Sequence, residues 1–326
     1  MNHPGEFELI ASLAGRLDPA DGLGIGDDAA AWMAGPGSLL VATTDMLVEG
    51  VHFRLDWTTP RDLGWKALAV SLSDLAAMGA TPGRALVSVA LLAGQAPIVE
   101  EMYDGLSELS RLTGTKVVGG DTVRSSGPLV VNVALLGEGE PGRLLRRDGA
   151  VPGDLLAVTG VVGASAAGLA LLLEADPVRL AGLDAAPLLA AHHRPTPRLA
   201  AGRALSALGL RCAIDISDGV ASEAWHLARS SGVAITLETD RLPLHDAAVA
   251  LFGREEALRL AVSGGEDYEL LFAMPEARLA EVEAALAEYG GVTVIGRVAG
   301  PRAGGDVEIL GAGRGAEPGR PGYVAF

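Results

Sequence analysis

Aspartates recur in this 326-residue chain beside glycines and small hydroxyl residues. Gly24-Ile25-Gly26-Asp27-Asp28-Ala29 sets two adjacent carboxylates after a glycine turn. Thr43-Thr44-Asp45 closes an apolar strand, Gly119-Gly120-Asp121 ends another, and Asp215 and Asp218 flank Ser217 at the end of a third. Asp74 lies inside a helix made largely of Leu, Ala and Val. Carboxylate oxygens are hard ligands, and Mg²⁺ usually takes one or two of them together with substrate phosphate oxygens. Ligands of α/β sheets bind outside the carboxyl ends of strands. The pattern therefore points to a divalent-cation site, and if the substrate is phosphorylated a metal ion is the obvious neutraliser of its charge. An unpaired carboxylate on an apolar helix is costly, which makes Asp74 the most informative of the set. Its bland alternative is a helix-surface residue beside Ser71 and Ser73.

Other motifs are weaker. The glycines at 24 and 26 fit G-x-G-x-x-A, but two aspartates would sit where a dinucleotide pyrophosphate must lie, so that reading fails. Neither Lys66 nor Lys116 follows a glycine in a phosphate-loop context. In Ser263-Gly264-Gly265-Glu266-Asp267-Tyr268-Glu269 the glycines allow close backbone approach to a ligand, and Glu266 or Asp267 is a candidate acceptor for a substrate amine. The helix start after Gly160–Gly163 is a candidate anion site. Arg143, Arg146 and Arg147 are candidate phosphate clamps, at least two of them equally well read as surface cations. His192, His193 and His226 read as ordinary, and Cys212 as a core thiol.

These residues must be positioned by elements, and the elements are legible. Lys+Arg total 25 against 41 Asp+Glu, a net charge of −16. Such a chain is a poor binder of nucleic-acid backbones and is repelled by anionic membranes. No stretch is apolar for long enough to span a bilayer, and the first residues are neither a signal peptide nor an anchor. One cysteine excludes a disulfide framework and suits the cytoplasm. Hydropathy periods predict strands over 38–44, 84–92, 116–118, 129–137, 155–159, 211–214, 233–238, 268–273 and 292–298. Helices are predicted over 60–78, 98–113, 164–174, 197–208, 220–229 and 275–288. The tail from 300 shows few periodic features. The polar turn-rich run at 146–154 divides the chain, giving two α/β domains over 1–148 and 149–326.

Taken in order, GEFELI, GIGDDAA, TTDMLVEGVHF, KALAVSLSDLAAMGATP, GGDT, GDLLAVTG, SAAGLALL, DISDG and SGGEDYEL span nearly the whole chain. The ordered set resembles the thiamine-monophosphate kinase family, within the group that includes aminoimidazole ribonucleotide synthetase. The resemblance implies a two-domain α/β (α+β) fold whose N-terminal domain pairs in a cytoplasmic homodimer. It implies transfer of the γ-phosphoryl group of ATP to thiamine monophosphate with several Mg²⁺ ions. By position in those motifs, Asp28, Thr43, Thr44, Asp45, Asp74, Asp121, Asp215 and Asp218 match metal ligands. Asp45, Asp121 and Asp218 are central to catalysis on that reading. Gly120, Asp121, Arg147 and Ser217 match nucleotide contacts, with Tyr103 nearby, and His52 and Glu266 match acceptor contacts. Near the C-terminus Arg320 stands where the family usually carries a substrate-contacting tryptophan. Either that aromatic contact is lost, or Tyr323 or Phe326 supplies it.

Overall fold

The computed structural model describes residues 22–23, 26–35, 37–173 and 185–311. The first half builds a six-stranded sheet from β1 (Gly22–Leu23), β2 (Ala30–Gly35), β3 (Ser38–Val48), β4 (Thr81–Leu91), β5 (Lys116–Arg124) and β6 (Val130–Gly139). Its spatial order is β1-β2-β3-β6-β4-β5, antiparallel except for the β4–β5 pair. Among the described residues, helices α1 (Pro60–Ala77) and α2 (Ala96–Thr113) belong to this half.

The second sheet contains β7 (Leu155–Thr159), β8 (Cys212–Asp215), β9 (Val233–Glu238), β10 (Leu270–Met274), β11 (Val292–Pro301) and β12 (Asp306–Leu310). Its order is β12-β9-β11-β7-β10-β8, with only β12–β9 parallel. The accompanying helices are α3 (Ala164–Leu173), α4 (Ala186–His193), α5 (Leu199–Ala207), α6 (Val220–Ser231), α7 (Asp246–Phe252), α8 (Arg254–Ser263) and α9 (Leu279–Leu286).

The two sheets read differently because they are covered differently. Every residue of β7 and β10 is buried. Leu155 and Ala157 join the core that runs into the first half, while Leu156 and Val158 join a second core under α6. Strands buried on both faces become continuous apolar runs. In β6 burial alternates, because one face of the first sheet packs on α1 and the other is open. Met46, Leu86, Val118 and Val123 are exposed there.

Helix α1 begins with Pro60 in its first turn and a Thr59 cap whose Oγ1 accepts the Asp62 amide at 3.1 Å. It then runs between the halves, and buried residues of β8, β10 and α5 share one core with it. Its contact with α2 is very close. A Cβ on Gly64 would lie 1.8 Å from Met102 O, and one on Gly105 1.8 Å from Arg61 O.

Several sequence expectations are corrected. The strand expected to stop at residue 44 continues to Val48, so Asp45 is interior to β3. The strand expected at 116–118 continues to Arg124, so Asp121 is interior to β5. The two α/β halves expected from the alternation are present, and most of their strand pairs are antiparallel. The tail holds β12.

Candidate active site

Three carboxylates from three separate elements meet at α1. Asp28 precedes β2, Asp74 stands near the end of α1, and Asp215 is the last residue of β8. Each offers an oxygen, and these oxygens all lie within 4.8 Å of one another. Hydroxyls hold the neighbouring acids in place. Ser73 Oγ donates to Asp215 Oδ2 at 2.7 Å, Ser71 Oγ to Asp45 Oδ2 at 2.7 Å, and Thr43 Oγ1 to Asp74 Oδ2. Thus α1 inserts Ser71, Ser73 and Asp74 into a space bounded by β3 and β8.

The electrostatics are those of carboxylates crowded away from water. Burial pushes Asp74 well above the usual carboxylate range, and the charges of Asp45, Asp215 and Asp28 push the same way. Burial and then the Asp28 charge raise Asp215, and burial raises Asp45. Arg147 Nη2 donates to Asp28 Oδ1 at 2.7 Å. Asp28 Oδ2 is buried without a hydrogen-bond partner, as is Arg147 Nε. A buried carboxylate oxygen left unpaired is expensive unless something cationic completes it. The donor set, all hard oxygen, suits Mg²⁺.

Next to this cluster the segment 216–219 joins β8 to α6. Glu223 Oε1 accepts the Asp218 amide at 3.0 Å and Ser217 Oγ at 3.4 Å. The loop before β10 docks on the same segment. The Glu266 amide donates to Ser217 O at 2.8 Å and the Tyr268 amide to Ile216 O at 2.9 Å. Gly265 permits the approach, since a Cβ there would lie 2.1 Å from Ser217 O. That glycine accommodates the neighbouring backbone, where the sequence suggested a ligand.

Family models match both halves. The AIR synthase related protein N-terminal domain covers residues 26–138, and the corresponding C-terminal domain covers 151–307. A thiamine-monophosphate kinase of Salmonella typhimurium is 42% identical over 291 residues, spanning 88% of this chain and 87% of the relative. The Bacillus subtilis thiamine-monophosphate kinase is 40% identical over 268 residues, spanning 81% and 82%. The chain belongs to the thiamine-monophosphate kinase family. The solved structure of AaThiL complexed with AMPPCP and TMP superposes with a TM-score of 0.82 at 34% identity, covering 99% of this chain and 97% of the other.

In this member of the thiamine-monophosphate kinase family, Asp28, Thr43, Asp45, Asp74, Asp215 and Arg147 come together. Asp121 does not join them. It lies exposed on edge strand β5, three strand positions from β3. Its cross-strand row runs through Ser88, Asn132 and Met46, whereas Asp45 shares a row with Val133, Val87 and Gly120. Thr44 faces away from Thr43 and accepts Asn132 Nδ2 at 2.9 Å. Tyr103 stands 37% exposed on α2. His52 Nδ1 accepts the Val48 amide at 3.0 Å. Arg320, Tyr323 and Phe326 lie outside the described residues.

Two further expectations change. The N-terminus of α3 is filled from within the chain: Asp267 accepts the Gly163 amide at 2.6 Å and the Ser165 amide at 3.2 Å. Of the three arginines, Arg147 alone pairs with a member of the Asp28–Asp74–Asp215 cluster, while Arg146 Nε lies 3.9 Å from Oδ2 of neighbouring Asp27. Arg143 pairs with Glu140, and Arg146 pairs with Asp148 and lines a separate cavity of about 640 Å³ beside Trp32 and Met33. Sequence reasoning missed Glu223 and Lys66. The signal was available for both, a Glu in the first turn after DISDG and a rare lysine in an apolar helix.

Proposed function

We propose that this chain transfers the γ-phosphoryl group of ATP to thiamine monophosphate, giving thiamine diphosphate and ADP. The observation that carries this reading is the meeting of Asp28, Asp74 and Asp215 around an unpartnered buried oxygen. The names of the most similar curated relatives supply the substrate. Mg²⁺ held there would neutralise phosphate charge and template the in-line transfer. Asp28, Asp74 and Asp215 would hold it, with Thr43, Asp45 and Asp218 as further ligands by their motif positions; Thr44 and Asp121, which face away from that cluster, would serve a separate ion on the same motif reading. Ser71, Ser73 and Thr43 fix carboxylate rotamers, so little reorganisation accompanies the reaction.

Gly120, Ser217, Arg147 and Tyr103 are assigned to the nucleotide, and His52 and Glu266 to the acceptor. The acceptor oxygen is already ionised, so no strong general base is needed and no phosphoenzyme forms. Residues 1–148 would form the ATP/Mg²⁺-binding and dimerisation domain, and 149–326 would complete the substrate site, adding Asp215, Ser217, Asp218 and Glu266. The proposed assembly is a cytoplasmic homodimer. The one-sided first sheet, with Met46, Leu86, Val118 and Val123 exposed, supports pairing through that face. Among the described residues no helix is long and apolar enough to cross a membrane.

The test is chromatography of thiamine species after incubation with ATP, Mg²⁺ and thiamine monophosphate. Thiamine diphosphate and ADP should appear in equal amounts and vanish with chelator. Nucleotide binding without any thiamine diphosphate would overturn the reading.

A further inference from the structure

Lys66 and Lys116 are the only lysines in a chain whose other cations are all arginine. The Lys66 side chain is 3% exposed, and its Nζ lies 3.0 Å from Glu266 Oε2. A buried ammonium persists only against a paired carboxylate. His192 Nδ1, on α4, lies 3.3 Å from the same oxygen and 3.1 Å from Ser165 Oγ. Burial, and then the Lys66 charge, push His192 down to about 2, so its ring is neutral. Lys66 is therefore the cation paired with Glu266.

The Glu266 backbone is as constrained as its side chain. Its φ is 67°, and that of Tyr268 is 52°, the two positive values at non-glycine residues among those described. Such conformations persist where surroundings over-determine them. Here the amides of both residues are tied to the 216–217 backbone of the second half. The carboxylate is tied to α1 of the first half. No hydrogen bond from the described residues reaches Glu266 Oε1, and the side chain is 24% exposed.

We infer that Lys66 is a positioning residue for the acceptor: by pairing with Oε2 of Glu266 it fixes that side chain and leaves Oε1 available to the amino group of thiamine monophosphate. This rests on the proposed reaction and on the assignment of Glu266 to the acceptor. Lys66 and Asp74 stand eight residues apart on one helix, so the acceptor-holding and metal-holding groups share a rigid support.

Steady-state kinetics of Lys66→Met, Glu266→Gln and the double variant test the inference. Lys66→Met should raise the acceptor KM at least about tenfold, with the ATP KM and kcat within about threefold of wild type. Lys66→Arg should recover part of the loss. The double variant should match Glu266→Gln alone, because groups acting through one another are non-additive. An unchanged acceptor KM in Lys66→Met, or additive losses, would overturn it. Should Lys66→Met not fold, Lys66→Arg and Lys66→Gln carry the same comparison. Wild-type protein that makes no thiamine diphosphate would sink the reaction instead. Calorimetric binding of thiamine monophosphate to the same variants then decides the role of Lys66: weakening by Lys66→Met supports it, and unchanged affinity overturns it.

Discussion

Asp74 is the residue on which the site turns. It is surrounded by Asp28, Asp45 and Asp215, and burial leaves little water to dilute their repulsion. Replacing it by Asn removes one charge while keeping a group that can bond Thr43. Turnover should fall at least about 100-fold, as for loss of a metal-site group. In chelator, however, the melting temperature should rise, and calorimetry of wild type and Asp74→Asn would check both signs. The pH dependence follows from the same crowding. Burial holds Asp27 and Asp267 up at about 7, and Asp74, Asp215 and Glu223 are pushed well above the ordinary range. The folded chain then keeps protons that the unfolded chain has released, so stability falls as pH rises through the folded values. Buried His192 and His226, down at about 2 and about 4, act oppositely, but their contribution is complete above the ordinary value of 6.5. Metal-free protein should therefore lose stability as pH rises from about 6.5 through about 7, and Mg²⁺ should flatten the slope. Denaturant melts across that range give the result. At this scale the sequence was informative about Asp74, because an acid amid Leu and Ala must have a partner. It was silent on whether Asp121 approaches the others, since that depends on strand register.

Helix α1 is the element that makes a site from scattered acids. It packs so closely on α2 that Gly64 and Gly105 face opposing carbonyl oxygens. Gly105→Ala would gain up to about 1 kcal/mol of helix propensity. The added methyl meets backbone Arg61 O, which no rotamer change relieves, and overpacking costs about 1–3 kcal/mol. The expected net is a loss of stability, read as a lower denaturant midpoint with unchanged m value. The existence of α1 was plain from Pro60 and the apolar run that follows. Its central place was not, because a helix buried on most sides shows no single apolar face to read. For the same reason β7 was bounded correctly from its unbroken apolar run, whereas Gly119-Gly120 in β5 read as a stop although the strand passes through.

At the scale of the molecule, one sheet is sandwiched and the other is not. Leu86 is 45% exposed on the open face, level with Thr44 across the sheet. If that face joins two copies, Leu86→Glu should convert the dimer to monomer by light scattering, with monomer secondary structure intact. A wild-type monomer at micromolar concentration would reject the proposed pairing. Charge and composition had indicated an acidic, two-part molecule. They carried nothing about the cores, where Leu155, Leu199 and Phe272 of the second half share a cluster with Leu63 and Leu72 of the first.

That shared support has a metric consequence. Lys66 and Asp74 are separated by roughly two helical turns, about 12 Å of axial rise. An α-helix hardly stretches, so it acts as a ruler between the amino end of a bound acceptor and the place where phosphate is added. A product longer by one phosphate no longer matches the graduation, and on the proposed assignment the enzyme thereby counts to one and stops.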